Sequence, residues 1–171
     1  VKEIIAINKN SQLVVCNLIS KESLVIKGVM VNGEIYTCDL DKDGVKELLF
    51  LVNQNQLVAM RSGQKNKVMI STDHKIAIGT PSFSDIDNDG QLEVLVPDIN
   101  GQLFALNPQM KDLWKLELPG RIGYITTGDF DKAAGLELLY LSRDGAEFLL
   151  TCLSKDKKKL WDHRLPAFQP L

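Results

Sequence analysis

Residues 85–106 read DIDNDGQLEVLVPDINGQLFAL, and the order of residue types in this stretch decides the fold. Three aspartates stand at every second position (Asp85, Asp87, Asp89), Gly90 follows, and Glu93 opens an apolar run through Pro97. Asp98-Ile99-Asn100-Gly101 is then a reversal, because Asn-Gly supplies the positive φ angles of a tight hairpin. Working outward, the plan returns as DLDKDGVKELLFLVNQNQLVAM from Asp39 and as DFDKAAGLELLYLSRDGAEFLL from Asp129. A fourth copy lacking its front, KEIIAINKNSQLVVC, begins at Lys2 with Glu3 in the place of the glutamate. Glu3, Glu47, Glu93 and Glu137 are thus spaced by 44, 46 and 44 residues.

The register extends beyond the loops. A glycine precedes each first aspartate by six residues (Gly33, Gly79, Gly123), and a bulky apolar residue separates the first two acidic positions (Leu40, Ile86, Phe130). A turn residue falls eight positions after each glutamate (Ser11, Asn55, Gly101, Gly145). In the best-kept unit, strands are predicted over 78–86, 92–96, 102–106 and 113–118, the last after a turn at 108–112. The second is apolar on both faces, as a strand sandwiched between layers should be. No stretch carries apolar residues at helical spacing, so no helix beyond a turn is expected.

Four antiparallel strands per roughly 45 residues make the blade of a β-propeller; solenoid repeats, the competing architecture, are typically shorter. The blades fall at about 1–30 (partial), 31–75, 76–120 and 121–165, with 166–171 opening another. Trp114 and Trp161, 47 residues apart in the fourth strands, are expected to fill the gaps between blades. The reading is all-β: about four blades forming a single segment, 1–171, of a larger propeller, with a closed four-bladed ring as the alternative.

The chemistry lies in D-x-D-x-D-G-x-x-E. Asp39, Asp41, Asp43 and Glu47, with the backbone carbonyl of Val45, wrap oxygen donors around one centre; Asp85, Asp87, Asp89, Glu93 and the carbonyl of Gln91 do so again. Hard oxygen donors in that number on a flexible loop suit Ca²⁺ better than Mg²⁺, giving two expected sites. Without a cation, like charges 4 Å apart repel by about 4 kcal/mol per pair at an effective dielectric constant of 20. The alternative is that the aspartates merely cap turns. The third copy keeps Asp129, Asp131 and Glu137 but has Ala133 and Ala134 where aspartate and glycine belong, so weak or no binding is expected there. The last acidic residue at position 9 and the flanking strands distinguish the loop from an EF-hand.

These repeats resemble the FG-GAP (VCBS-type) repeats of integrin-α-like propellers, whose Ca²⁺ loops read D-x-D-x-D-G-x-x-D before an apolar strand. Glutamate replaces the usual final aspartate here, keeping the carboxylate and lengthening its reach. A weaker similarity links GQLFALNPQMKDLW and FLLTCLSKDKKKLW to the blades of quinoprotein (PQQ-like) propellers. The first resemblance implies an extracellular, cell-surface or periplasmic adhesion scaffold that binds proteins or glycans through loops on one face. The remaining cases are the propeller portion of a polysaccharide-active or quinone-dependent enzyme, and an intracellular scaffold, which free cysteines would suit.

Composition narrows the field. A net charge of −2 leaves no electrostatic footprint for nucleic acid, and no apolar run is long enough to insert into a bilayer as a helix. Three cysteines do not form a disulfide framework; Cys16, Cys38 and Cys152 sit among apolar neighbours and read as small hydrophobes. His74 and His163 occupy non-equivalent positions with no motif around them, and no nucleophile elbow or phosphate-binding loop occurs. The reading is therefore non-catalytic.

Overall fold

The computed structural model describes residues 3–17, 19–52, 56–61, 69–76, 81–133 and 135–166, in which every regular element is a β-strand and every pairing antiparallel. The first sheet has the order β1-β2-β3-β4-β5-β6, with β1 at Glu3–Ile7, β2 at Gln12–Asn17, β3 at Ser23–Cys38, β4 at Glu47–Val52, β5 at Gln56–Arg61 and β6 at Met69–Lys75. Two four-stranded sheets follow. One runs β10-β9-β8-β7 and comprises β7 (Ser82–Ser84), β8 (Glu93–Pro97), β9 (Gln102–Leu106) and β10 (Asp112–Glu117). The other runs β11-β12-β13-β14 and comprises β11 (Arg121–Gly128), β12 (Glu137–Asp144), β13 (Glu147–Leu153) and β14 (Lys159–Leu165).

The long strand β3 explains why the first sheet has six members. Its 16 residues serve two repeats in turn: Met30 pairs with Gln12 of β2, while Val31, the next residue, pairs with Val52 of β4. The repeat boundary read at 30/31 therefore falls inside a strand, at the residue where its partner changes.

In the unit beginning near residue 76, β9 coincides with the third predicted strand, while β8 and β10 are each displaced by one residue from the second and fourth. The first strand is shorter than expected. It ends at Ser84 because the chain turns at Asp85 into the acidic loop, where the Ile86 N–H donates to Glu93 Oε2 at 2.8 Å. Predicted strand positions 78–80 lie outside the described residues, as does the turn at Asn55. The other predicted turn residues, Ser11, Gly101 and Gly145, have φ of 59°, 86° and 61°. Asp98 Oδ1 fixes its hairpin by accepting from the N–H groups of Asn100 and Gln102, both at 2.8 Å, and Asn8 does the same for Asn10 and Gln12.

Strand β8 is buried at all five positions, which is what a continuous apolar run between two layers requires. Each Leu or Val so buried contributes about 1.5–3 kcal/mol. By contacts the chain divides into one unit of Val1–Asp39 with Gly44–Lys75 and a second of Leu40–Asp43 with Ile76–Leu171. In the first, Leu13 of β2 packs with Leu48, Phe50, Val58 and Met60 of β4 and β5. In the second, Leu95, Leu103 and Ala105 pack against Ile122, Ile125, Leu138 and Tyr140 of the following sheet. Trp114 borders that core as expected, with Lys157 Nζ 4.6 Å from its ring centre. Trp161 on β14 is 42% exposed among the described residues.

Candidate metal centre

Three loops, 39–47, 85–93 and 129–137, leave a first strand and enter a second. Their backbones turn alike, since the fourth position is left-handed each time: Lys42, Asn88 and Lys132 have φ of 54°, 63° and 62°. Two of the loops then need glycine at the sixth position, where Gly44 and Gly90 have φ of 88° and 93°. In the third loop the left-handed glycine is Gly135, one position later, at 117°; Ala134 lies outside the described residues.

Carboxylates converge in all three. One oxygen each of Asp39, Asp41 and Asp43 lies within 4.8 Å of the others, and the same holds for Asp85, Asp87 and Glu93 and for Asp129, Asp131 and Glu137. Asp89 stands outside the second triad, where its Oδ1 accepts from the Gln91 N–H at 2.7 Å, and Val45 and Gln91 follow the loop glycines. Glu47 stands outside the first triad: Arg61, paired with it across β4 and β5, brings Nε to 3.3 Å from Glu47 Oε1.

The hydrogen bonds of the first aspartate separate the loops. Asp39 Oδ2 accepts from the Gly44 N–H at 2.9 Å and Asp85 Oδ2 from the Gly90 N–H at 3.1 Å. The other oxygen of each, Asp39 Oδ1 and Asp85 Oδ1, is buried with no hydrogen-bond partner. A buried carboxylate oxygen left unpaired costs free energy, and a hard cation is the partner that its chemistry fits. In the third loop Asp129 is exposed, so neither of its oxygens is buried without a partner, and its Oδ1 accepts from the Lys132 N–H at 2.7 Å.

Glu93 is almost fully buried, and burial pushes its carboxyl above the usual range. The Ile86 N–H draws it back down, while Asp87, Asp89 and Asp85 add upward pressure. Lys42 reaches from the first loop to the second, with Nζ 3.4 Å from Asp85 Oδ2, and the Leu92 N–H donates to the Leu40 carbonyl at 3.0 Å. Neither Lys42 nor Arg61 stands out in the sequence; both depend on strand register or loop placement.

The residues weighed for catalysis lie apart from these loops or are inert. His163 is exposed on β14, and His74 on β6 donates its N–H to Thr72 Oγ1. Cys16, Cys38 and Cys152 are thiols. Cys38 is pushed up to about 12, first by burial and then by Glu47 and Asp39, so it carries no thiolate at neutral pH.

No family model matches the chain, and neither does any curated protein. Among solved structures it is similar to BBS1N in complex with ARL6DN (soaked with lead), at 14% identity and a TM-score of 0.63, covering 96% of this chain and 49% of that one. It is also similar to BamB from Moraxella catarrhalis, at 13% identity and a TM-score of 0.51, covering 95% of this chain and 50% of that one. Both are β-propellers, and the chain is an all-β array of four-stranded antiparallel blades of that fold. It spans about half the length of each of these two structures.

Proposed function

We propose that this chain is a non-catalytic interaction module of the β-propeller type, whose loops 39–47 and 85–93 are each held by one Ca²⁺. The observation that carries the reading is the buried, partnerless oxygen of Asp39 and of Asp85 at the rim of a carboxylate triad. Asp39, Asp41 and Asp43, with Glu47 and the Val45 carbonyl, hold the first ion; Asp85, Asp87 and Glu93, with Asp89 and the Gln91 carbonyl, hold the second. Bound Ca²⁺ supplies neutralisation of the clustered charge and a fixed connection between first and second strands. Asp129, Asp131 and Glu137 bind weakly or not at all, because Ala133 and Ala134 replace the third aspartate and the glycine and Asp129 lies exposed.

A fixed set of loops is what a recognition surface needs. A protein is the partner class that the comparison favours, since BBS1N was solved in complex with ARL6DN; a glycan is the second class on the integrin-like resemblance. That resemblance also supports a location outside the cell, at its surface or in the periplasm, and the FG-GAP family as the finer reading. Thermal unfolding in Ca²⁺ and in EDTA tests the reading. A site saturated a hundredfold above its Kd adds about 2.7 kcal/mol, or roughly 5–10 °C for a chain of this size. Identical melting in the two buffers would remove the metal from the account.

A further inference from the structure

Glu93 and Glu137 are the most deeply buried carboxylates among the described residues, 1% and 2% exposed. Each opens a second strand and stands opposite the last residue of the first: Glu93 pairs with Ser84 and Glu137 with Gly128. The chain leaves the ladder there, and the N–H two residues further on lies beyond the last strand pair. In both loops a glutamate oxygen takes it. The Ile86 N–H donates to Glu93 Oε2 at 2.8 Å and the Phe130 N–H to Glu137 Oε2 at 2.7 Å. A side-chain carboxylate thus carries the pairing one step into the loop, and the hydrogen bond offsets the cost of burying its charge.

The bond is the same although the loops differ in almost everything else. Loop 85–93 has Asp89 at its fifth position and left-handed Gly90 at its sixth; loop 129–137 has Ala133 at its fifth, its left-handed glycine comes one position later at Gly135, and its first aspartate is exposed. A bond kept when the third aspartate is lost does not depend on the full carboxylate set. We infer that Glu93 and Glu137 are positioning residues of a metal-independent clasp, which fixes the exit from the first strand by holding the N–H of the loop's second residue. Side-chain length is part of the device. Aspartate is shorter by one carbon–carbon bond, about 1.5 Å, and a 2.8 Å hydrogen bond stretched by that much is lost. The clasp stands without the Ca²⁺ reading; only the second duty of Glu93, to offer an oxygen beside those of Asp85 and Asp87, rests on it.

Hydrogen exchange of the Ile86 and Phe130 N–H groups in EDTA tests the clasp, because no cation then contributes. Both should be protected in the unaltered chain. Glu137→Gln keeps an accepting oxygen at the same reach and should leave Phe130 exchange within about threefold. Glu137→Asp should speed it about tenfold or more and lower the melting temperature by roughly 2–10 °C. Glu93→Gln should keep Ile86 protected in EDTA while cutting that loop's share of the Ca²⁺-dependent rise in melting temperature. Protected N–H groups in a chain that shows no such rise would remove the ion and uphold the clasp. Phe130 exchange that is as fast in the unaltered chain as in Glu137→Asp, or that Glu137→Gln speeds as much as Glu137→Asp does, overturns it.

Discussion

Loops 85–93 and 129–137 turn through a left-handed residue at the same fourth position and each gather three acidic oxygens within 4.8 Å of one another, yet they treat the first aspartate differently. In one, Asp85 gives a single oxygen to the Gly90 N–H and buries the other with nothing to bond. In the other, Asp129 accepts from the Lys132 N–H but lies exposed, so water reaches its remaining oxygen. A cluster of carboxylates is therefore a poor sign of a metal by itself; an oxygen buried at a cost without its partner is the better one. Loop 39–47 adds a third variant, in which the orphaned Asp39 oxygen is kept while Glu47 is held by Arg61.

The largest effect should come from breaking the second loop. Asp85→Ala is expected to remove one site's share of the Ca²⁺-dependent rise in melting temperature, roughly 5–10 °C at a hundredfold saturation. In EDTA the same change should cost little, because losing the Gly90 N–H and Lys42 contacts is offset by removing an unpaired buried oxygen from a repelling cluster. Asp87→Ala should lose a comparable share in Ca²⁺, whereas Asp131→Ala in the third loop should move the rise little. Equal losses from Asp87→Ala and Asp131→Ala would erase the distinction between the loops.

The next effect sharpens the contrast by repair. Replacing Ala133 with Asp and Ala134 with Gly restores the full pattern in 129–137, and calorimetric titration should then show one more Ca²⁺ bound per chain. A smaller change concerns the first loop alone. Arg61→Met removes the Arg61 contact from Glu47 and should raise the Ca²⁺ affinity of that loop by about threefold to tenfold, while costing about 1 kcal/mol of stability in EDTA.

The smallest effect reads the charge beside the first loop through Cys38. Its thiol should alkylate slowly at neutral pH, since its pKa is near 12 instead of the ordinary 9.0. The sign for stability follows from the same shift. The folded chain holds this proton more tightly than the unfolded one, so the contribution is complete below the ordinary value and is lost as pH rises toward 12. Cys38→Ser should flatten that alkaline loss in a melting series.

Much of this arrangement was legible before any coordinates. The alternation of aspartates before a glycine and an apolar run located all three loops, and the hairpin Asp98-Ile99-Asn100-Gly101 placed β8 and β9 to within a residue. Those features are local, set by φ preference and by burial on both faces. What stayed hidden was relational. The Glu47–Arg61 pair requires the register of β4 on β5, and the Lys42–Asp85 contact requires two loops to meet. Trp114 and Trp161 occupy equivalent places in sequence, yet Trp114 borders a buried core while Trp161 is 42% exposed among the described residues; no property of either residue distinguishes them.

The central claim is that two of three acidic loops hold Ca²⁺, and counting bound ions by equilibrium dialysis of the chain against Ca²⁺ tests it most directly. Two ions per chain, falling to one in Asp85→Ala and remaining two in Asp129→Ala, is the predicted result. No bound Ca²⁺, or three ions of similar affinity in the unaltered chain, would contradict it.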